Sequence, residues 1–116
     1  MSQVTTFTAS DFGRTFTSNG DGTDHGWGSH HFVMGGAVKG GDLYGAFPML
    51  GLKNASNNFD SSPDQLGNGS LLPKTSVDQL GATLAGWFGI APADALRIFP
   101  NLANFPSDQR DLQFFG

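Results

Sequence analysis

The chain has 116 residues, with 17 Gly, 6 Pro, 11 Phe, no Cys and a net charge of −4, a size that fits one domain or part of one. No apolar run approaches the roughly 20 residues that span a bilayer, and no charged-then-apolar leader opens the chain, so neither a membrane span nor a signal peptide is expected. Every acidic residue is Asp, and the basic ones (Arg14, Lys39, Lys53, Lys74, Arg97, Arg110) are scattered, which excludes the dense basic footprint of a nucleic-acid binder. Without Cys there are no disulfide staples, thiolate zinc sites or Cys nucleophiles.

In chain order, Val4–Ser10 is rich in β-branched and aromatic residues and predicts a strand. It ends at Asp11-Phe12-Gly13-Arg14, where Gly13 permits a change of direction. Residues 18 to 30 form a Gly/Asp/Asn loop, and His31–Met34 predicts a second strand stopped by Gly35-Gly36. Ala37–Phe47 reads as a hairpin or a bulged strand. The polar stretch 51–73 is expected to be a long surface loop. A helix is predicted over 76–88: Ser76 and Gln79 make a capping box, Val77, Leu80, Leu84, Trp87 and Phe88 recur at helical spacing, and Gly89 stands where a left-handed terminator belongs. A shorter helix runs from Pro92 to about Phe99, with Pro100 blocking extension. Residues 101–116 carry the aromatic anchors Phe105, Phe114 and Phe115 without a regular period. The expected fold class is α/β, a sheet-and-helix arrangement in one partial domain, 1–116, with short strands in the N-terminal half.

Chemistry concentrates in Asp11, Arg14, Asp21, Asp24, His25, His30 and His31, among the glycines at 20, 22, 26 and 28. Carboxylate oxygen with neutral imidazole is a ligand set for zinc, manganese or iron. Asp11 stands where a strand ends, the place open α/β sheets put their ligands, and Arg14 can clamp an anionic group. Against this, His30 and His31 point to opposite faces of any strand they share, and Asp21 suits a turn with Gly22. Gly35–Gly41 has a phosphate-loop composition but lacks the Walker spacing, and no Gly-x-Ser-x-Gly elbow is present.

Taken in order, Ser10–Thr15, Gly22–Gly28, His31–Gly41 with Tyr44-Gly45, Leu72-Pro73, Thr75–Gln79, Ala82–Ala85, Trp87–Gly89 and Phe99–Leu102 resemble bacterial domain-of-unknown-function family 1501. The resemblance implies export by the twin-arginine route, hence a periplasmic or secreted location, and similarity to the alkaline phosphatase and sulfatase superfamily. It implies that this chain is the C-terminal portion of such a domain. The nucleophile would then lie elsewhere, leaving the chain inactive alone and hydrolase-like towards phosphate or sulfate esters only if completed.

Two alignments carry the ligands over. In one, Asp24-His25 is the superfamily's Asp-His metal pair. In the other, Asp11 takes that place, with Phe12 where a His is usual and His25 as the later lone His ligand. The second is preferred, because an apolar strand directly precedes Asp11. The ligand set implied is Asp11, Asp24, His25 and His31 around a divalent metal, zinc, with Arg14 on an anionic ester substrate. The competing class is a non-catalytic exported binding or assembly module. Self-association through an open sheet edge is a further expectation.

Overall fold

A computed structural model describes residues 2–116. The described residues are mixed α/β, with four short strands in the N-terminal half: β1 (Thr5–Phe7), β2 (Gly13–Ser18), β3 (Thr23–Gly26) and β4 (Val33–Gly35). Two helices follow, α1 (Val77–Trp87) and α2 (Pro92–Ile98), then 3-10 turns at Pro100–Asn104 and Ser107–Gln109. β1 pairs with β4, and β2 pairs antiparallel with β3.

Several strand boundaries differ from the sequence expectation. The strand expected over 4–10 is only Thr5–Phe7, and the turn expected at Gly13 is instead the start of β2. Gly13 is needed there for close approach: a Cβ on it would meet the Gly28 carbonyl oxygen at 2.0 Å. The Gly/Asp-rich loop from 18 to 30 contains β3, which returns along β2 after a turn over Asn19–Gly22. That turn closes by the Asn19 N–H donating to Gly22 O at 3.0 Å, with the Asp21 N–H on Asn19 Oδ1 at 3.1 Å and Gly20 at φ +102°. The Asx turn thus belongs to Asn19 and not to Asp21. The second expected strand begins at Val33, two residues after His31.

The chain divides into two compact units. One comprises the N-terminal residues up to Thr5, Gly35–Ala46 and Thr75–Gly116; the other comprises Thr6–Met34 and Phe47–Lys74. In the second unit, Thr15, Phe59, Ser62, Asp64, Gln65, Ser70 and Leu71 are buried. Most of these come from the stretch 51–73, which has no helix or named strand yet is not confined to the surface. Several of its polar atoms pair with the stretch itself or its flanks, while Gln65 Nε2 is buried without a hydrogen-bond partner among the described residues. The Asp64 carboxylate accepts from the Met49 N–H at 2.6 Å and lies 2.8 Å from Lys74 Nζ, Gln65 Oε1 accepts from the Gly51 N–H at 2.6 Å, and the Ser62 hydroxyl donates to Met49 O. A loop can be buried only when most of its backbone and side-chain polar groups find such partners.

The first unit is organised by the helices. The capping box on α1 forms in both directions, Gln79 N–H to Ser76 Oγ and Ser76 N–H to Gln79 Oε1. Gly89 at φ +105° ends the helix, and the Ile90 N–H returns to Ala85 O at 2.9 Å. Ala82, Ala95 and Leu102 form the core, with Ile90, Leu96 and Phe99 packed around it. The buried face of α1 is not the apolar stripe. Gln79, Ala82 and Thr83 are buried, while Val77 is 78% and Phe88 81% exposed. The reason is that Gln79 and Thr83 hold the backbone of 109–112, so their polar groups are satisfied by main chain instead of water. The hairpin expected over 37–47 does not form, because residue Val38 pairs with distant Phe115.

Candidate functional site

The β2–β3 hairpin gathers part of the predicted cluster. Arg14 and His25 are opposite each other in the antiparallel register, and Phe12, two residues before Arg14, shares their face. The Phe12 and His25 rings stack with centroids 3.5 Å apart and planes 11° from parallel. The Arg14 guanidinium carbon stands 5.1 Å from the Phe12 ring centroid, within cation–π range, and Arg14 Nη1 donates to Thr23 O at 2.7 Å. Arg14 and His25 are both exposed, so this face offers water a cationic group and an imidazole held beside one aromatic ring. On the opposite face Thr15 is 2% exposed, and its hydroxyl accepts from the Asp24 N–H at 3.1 Å. Opposed glycines let the strands close in: Gly13 faces Gly26, whose Cβ would lie 3.0 Å from the Arg14 backbone.

The remaining predicted residues stand apart. Asp11 is exposed in the bend before β2. Asp24 is adjacent to His25 on β3, so the two side chains project to opposite faces, and the Asp24 carboxylate accepts from Asn19 Nδ2 at 2.8 Å. His31 Nδ1 lies 3.3 Å from the Thr8 hydroxyl, which accepts from the Phe32 N–H at 2.9 Å. His30 stacks on Phe47 with centroids 5.0 Å apart.

Among the described residues, no three His, Asp or other metal-binding groups come together. A zinc centre requires about four ligands converging at roughly 2 Å. Asp11, Asp24, His25 and His31 as folded do not fit a metal centre made by this chain alone.

Two features escape sequence reasoning. Phe12 reads as a missing ligand, whereas in the fold it is the ring that both Arg14 and His25 meet; the Phe-x-Arg alternation was the available signal. Asp64 lies in a polar stretch without a motif. The Lys74 ammonium, and then the Met49 N–H, hold its carboxyl below the usual carboxylate range.

No curated protein and no solved structure matches the chain. Residues 1–94 match the family model described as "Protein of unknown function (DUF1501)", and the chain belongs to that family.

Proposed function

We propose that the chain is an anion-recognising module, without catalytic activity of its own, that takes a phosphate- or sulfate-bearing ligand on the outer face of β2–β3. The observation that carries this reading is the register that sets Arg14 opposite His25, with Phe12 against both. Arg supplies planar N–H donors suited to phosphate or sulfate oxygens, and an adjacent imidazole adds a further hydrogen-bonding nitrogen. Packing on Phe12 limits the motion of both groups, so less ordering entropy is lost when an anion binds.

Calorimetric titration of the purified chain with inorganic phosphate, inorganic sulfate and phenyl phosphate tests this. Saturable binding of at least one anion, reduced at least tenfold by Arg14→Ala and restored in part by Arg14→Lys, is expected. No binding by the folded wild-type chain overturns it.

A second reading follows from the family resemblance. In it the chain contributes Asp11, Asp24, His25 and His31 to a metal-dependent phosphate or sulfate ester hydrolase-like domain, exported and completed by another polypeptide segment, with Arg14 on the ester. What supports it is the exposed imidazole of His25, a nitrogen donor open to a ligand; the Asp24 carboxylate projects to the opposite face and accepts from Asn19 Nδ2. Elemental analysis and thermal melts with and without chelator separate the two readings. Near-stoichiometric metal whose removal lowers the midpoint favours the hydrolase-like reading, and no metal with no shift favours the binding module.

A further inference from the structure

We propose that Asn19 is a self-modifying site: the turn joining β2 to β3 assembles around its side chain the groups that convert an Asn-Gly pair into aspartate and isoaspartate through a cyclic imide. The residue is held at three points. Its Oδ1 accepts the Asp21 N–H at 3.1 Å, its Nδ2 donates to the Asp24 carboxylate at 2.8 Å, and its own N–H closes the turn on Gly22 O at 3.0 Å. The next nitrogen along the chain, that of Gly20, donates to the Ser18 hydroxyl at 3.2 Å. Asn19 and Gly20 are both exposed.

Each contact matches a step. The Gly20 nitrogen gives its proton to water and attacks Asn19 Cγ, and negative charge then develops on Oδ1, where the Asp21 N–H already points. The Cγ–Nδ2 bond breaks, and Nδ2 takes up a proton and leaves as ammonia beside the Asp24 carboxylate, which favours positive charge on the departing nitrogen. Water opens the imide at either carbonyl, so Asn19 and one water become aspartate or isoaspartate and one ammonia. Nothing is oxidised or reduced. Ring closure requires the Gly20 peptide to turn, and a Cβ built at Gly20 would have nothing within 4 Å, so the space for that turn is free.

The second Asn-Gly pair of the chain, Asn68-Gly69, shows what this turn adds. Asn68 Oδ1 likewise accepts an N–H, that of Ser70, at 3.0 Å. Gly69, however, is buried, its N–H is committed to Leu66 O at 2.7 Å, and a Cβ on it would lie 2.8 Å from the Phe16 side chain. The same dipeptide is thus open to attack at Asn19 and locked at Asn68. Reaction at Asn19 replaces the amide that donates to Asp24 with a second carboxylate, and isoaspartate also adds a backbone carbon to the turn. Both products loosen the hairpin that presents Arg14 and His25.

Peptide mapping by mass spectrometry tests this on the full chain held in mildly alkaline buffer, either folded or unfolded in guanidinium. In the folded chain, conversion at Asn19 is expected to be about tenfold faster than at Asn68, and faster than at Asn19 in the unfolded chain. Asp24→Ala should slow conversion at Asn19 about fivefold in the folded chain and leave the unfolded rate unchanged. Two results overturn the proposal: Asn19 converting no faster folded than unfolded, or folded Asp24→Ala converting as fast as wild type. Where circular dichroism shows that Asp24→Ala does not fold, the folded-against-unfolded comparison in the wild-type chain decides alone.

Discussion

Arg14 and His25 are direct partners across the β2–β3 ladder, and each meets the same ring, that of Phe12. The ring therefore ties the two strands through side chains where the ladder is narrowed by Gly13 and Gly26. Replacing it with Leu keeps apolar bulk but removes both the stack and the cation–π contact. Phe12→Leu should cost about 1 kcal/mol of stability by urea denaturation. It should weaken phosphate binding by roughly fivefold, because Arg14 and His25 lose the surface that orders them. Unchanged stability and affinity would show that the ring positions neither group.

Two glycines of the hairpin separate two physical causes. Gly13→Ala forces a Cβ onto the Gly28 carbonyl, backbone that cannot swing away, and should cost about 3 kcal/mol or more. Gly20→Ala meets nothing within 4 Å but must hold a left-handed φ, for about 1–2 kcal/mol. Chemical denaturation of both variants should rank them in that order.

How much of this was legible in the sequence depends on where each partner lies. The capping box, the Gly89 terminator and the Pro92 start are local signals, and α1 and α2 stand within a residue of their expected ends. β2 was hidden because Gly13 and the following Gly/Asp run resemble a turn, while the alternation Arg14-Thr15-Phe16-Thr17 was the competing signal. The polar face of α1 was not legible at all. Burying Gln79 and Thr83 makes sense only when the backbone at 109–112, some thirty residues on, supplies the bonds. For the candidate site, the cluster legible in the sequence includes Arg14 and His25, and these do face each other. Asp24 is next to His25 in sequence, and on a strand that adjacency sends the side chains apart.

Asp64 makes stability depend on acid. Its carboxyl is held below the ordinary value of 3.8, chiefly by Lys74 and then by the Met49 N–H. A depressed folded-state pKa contributes stability that is fully present above the unfolded value and is lost as pH falls through the folded one. The thermal midpoint should therefore drop as pH is lowered from 5 towards 2, and Asp64→Asn should be less stable at pH 7 yet flatter across that window. Lys74→Met should remove the larger part of the dependence. An identical pH profile for Asp64→Asn and wild type would place the acid sensitivity elsewhere.

The Thr83 hydroxyl joins α1 to the segment it holds, giving its proton to Gln79 O and accepting the Leu112 N–H. Thr83→Val preserves shape and β-branching but leaves that N–H facing a methyl group. An unsatisfied donor in a half-buried position costs about 1–3 kcal/mol, so the midpoint should fall accordingly, whereas Thr83→Ser restores the bond and most of the stability. The loss should also be local. Hydrogen exchange at the Leu112 amide should accelerate, and in a Trp27→Phe background Trp87 emission should shift as Phe115 leaves its face. If Thr83→Val matched wild type in both midpoint and exchange, the Thr83–Leu112 bond would contribute nothing to holding residues 109–116, which would then rest on the Gln79–Gln109 bond, the Lys39–Phe114 and Gly116–Ala37 backbone bonds and the aromatic contacts.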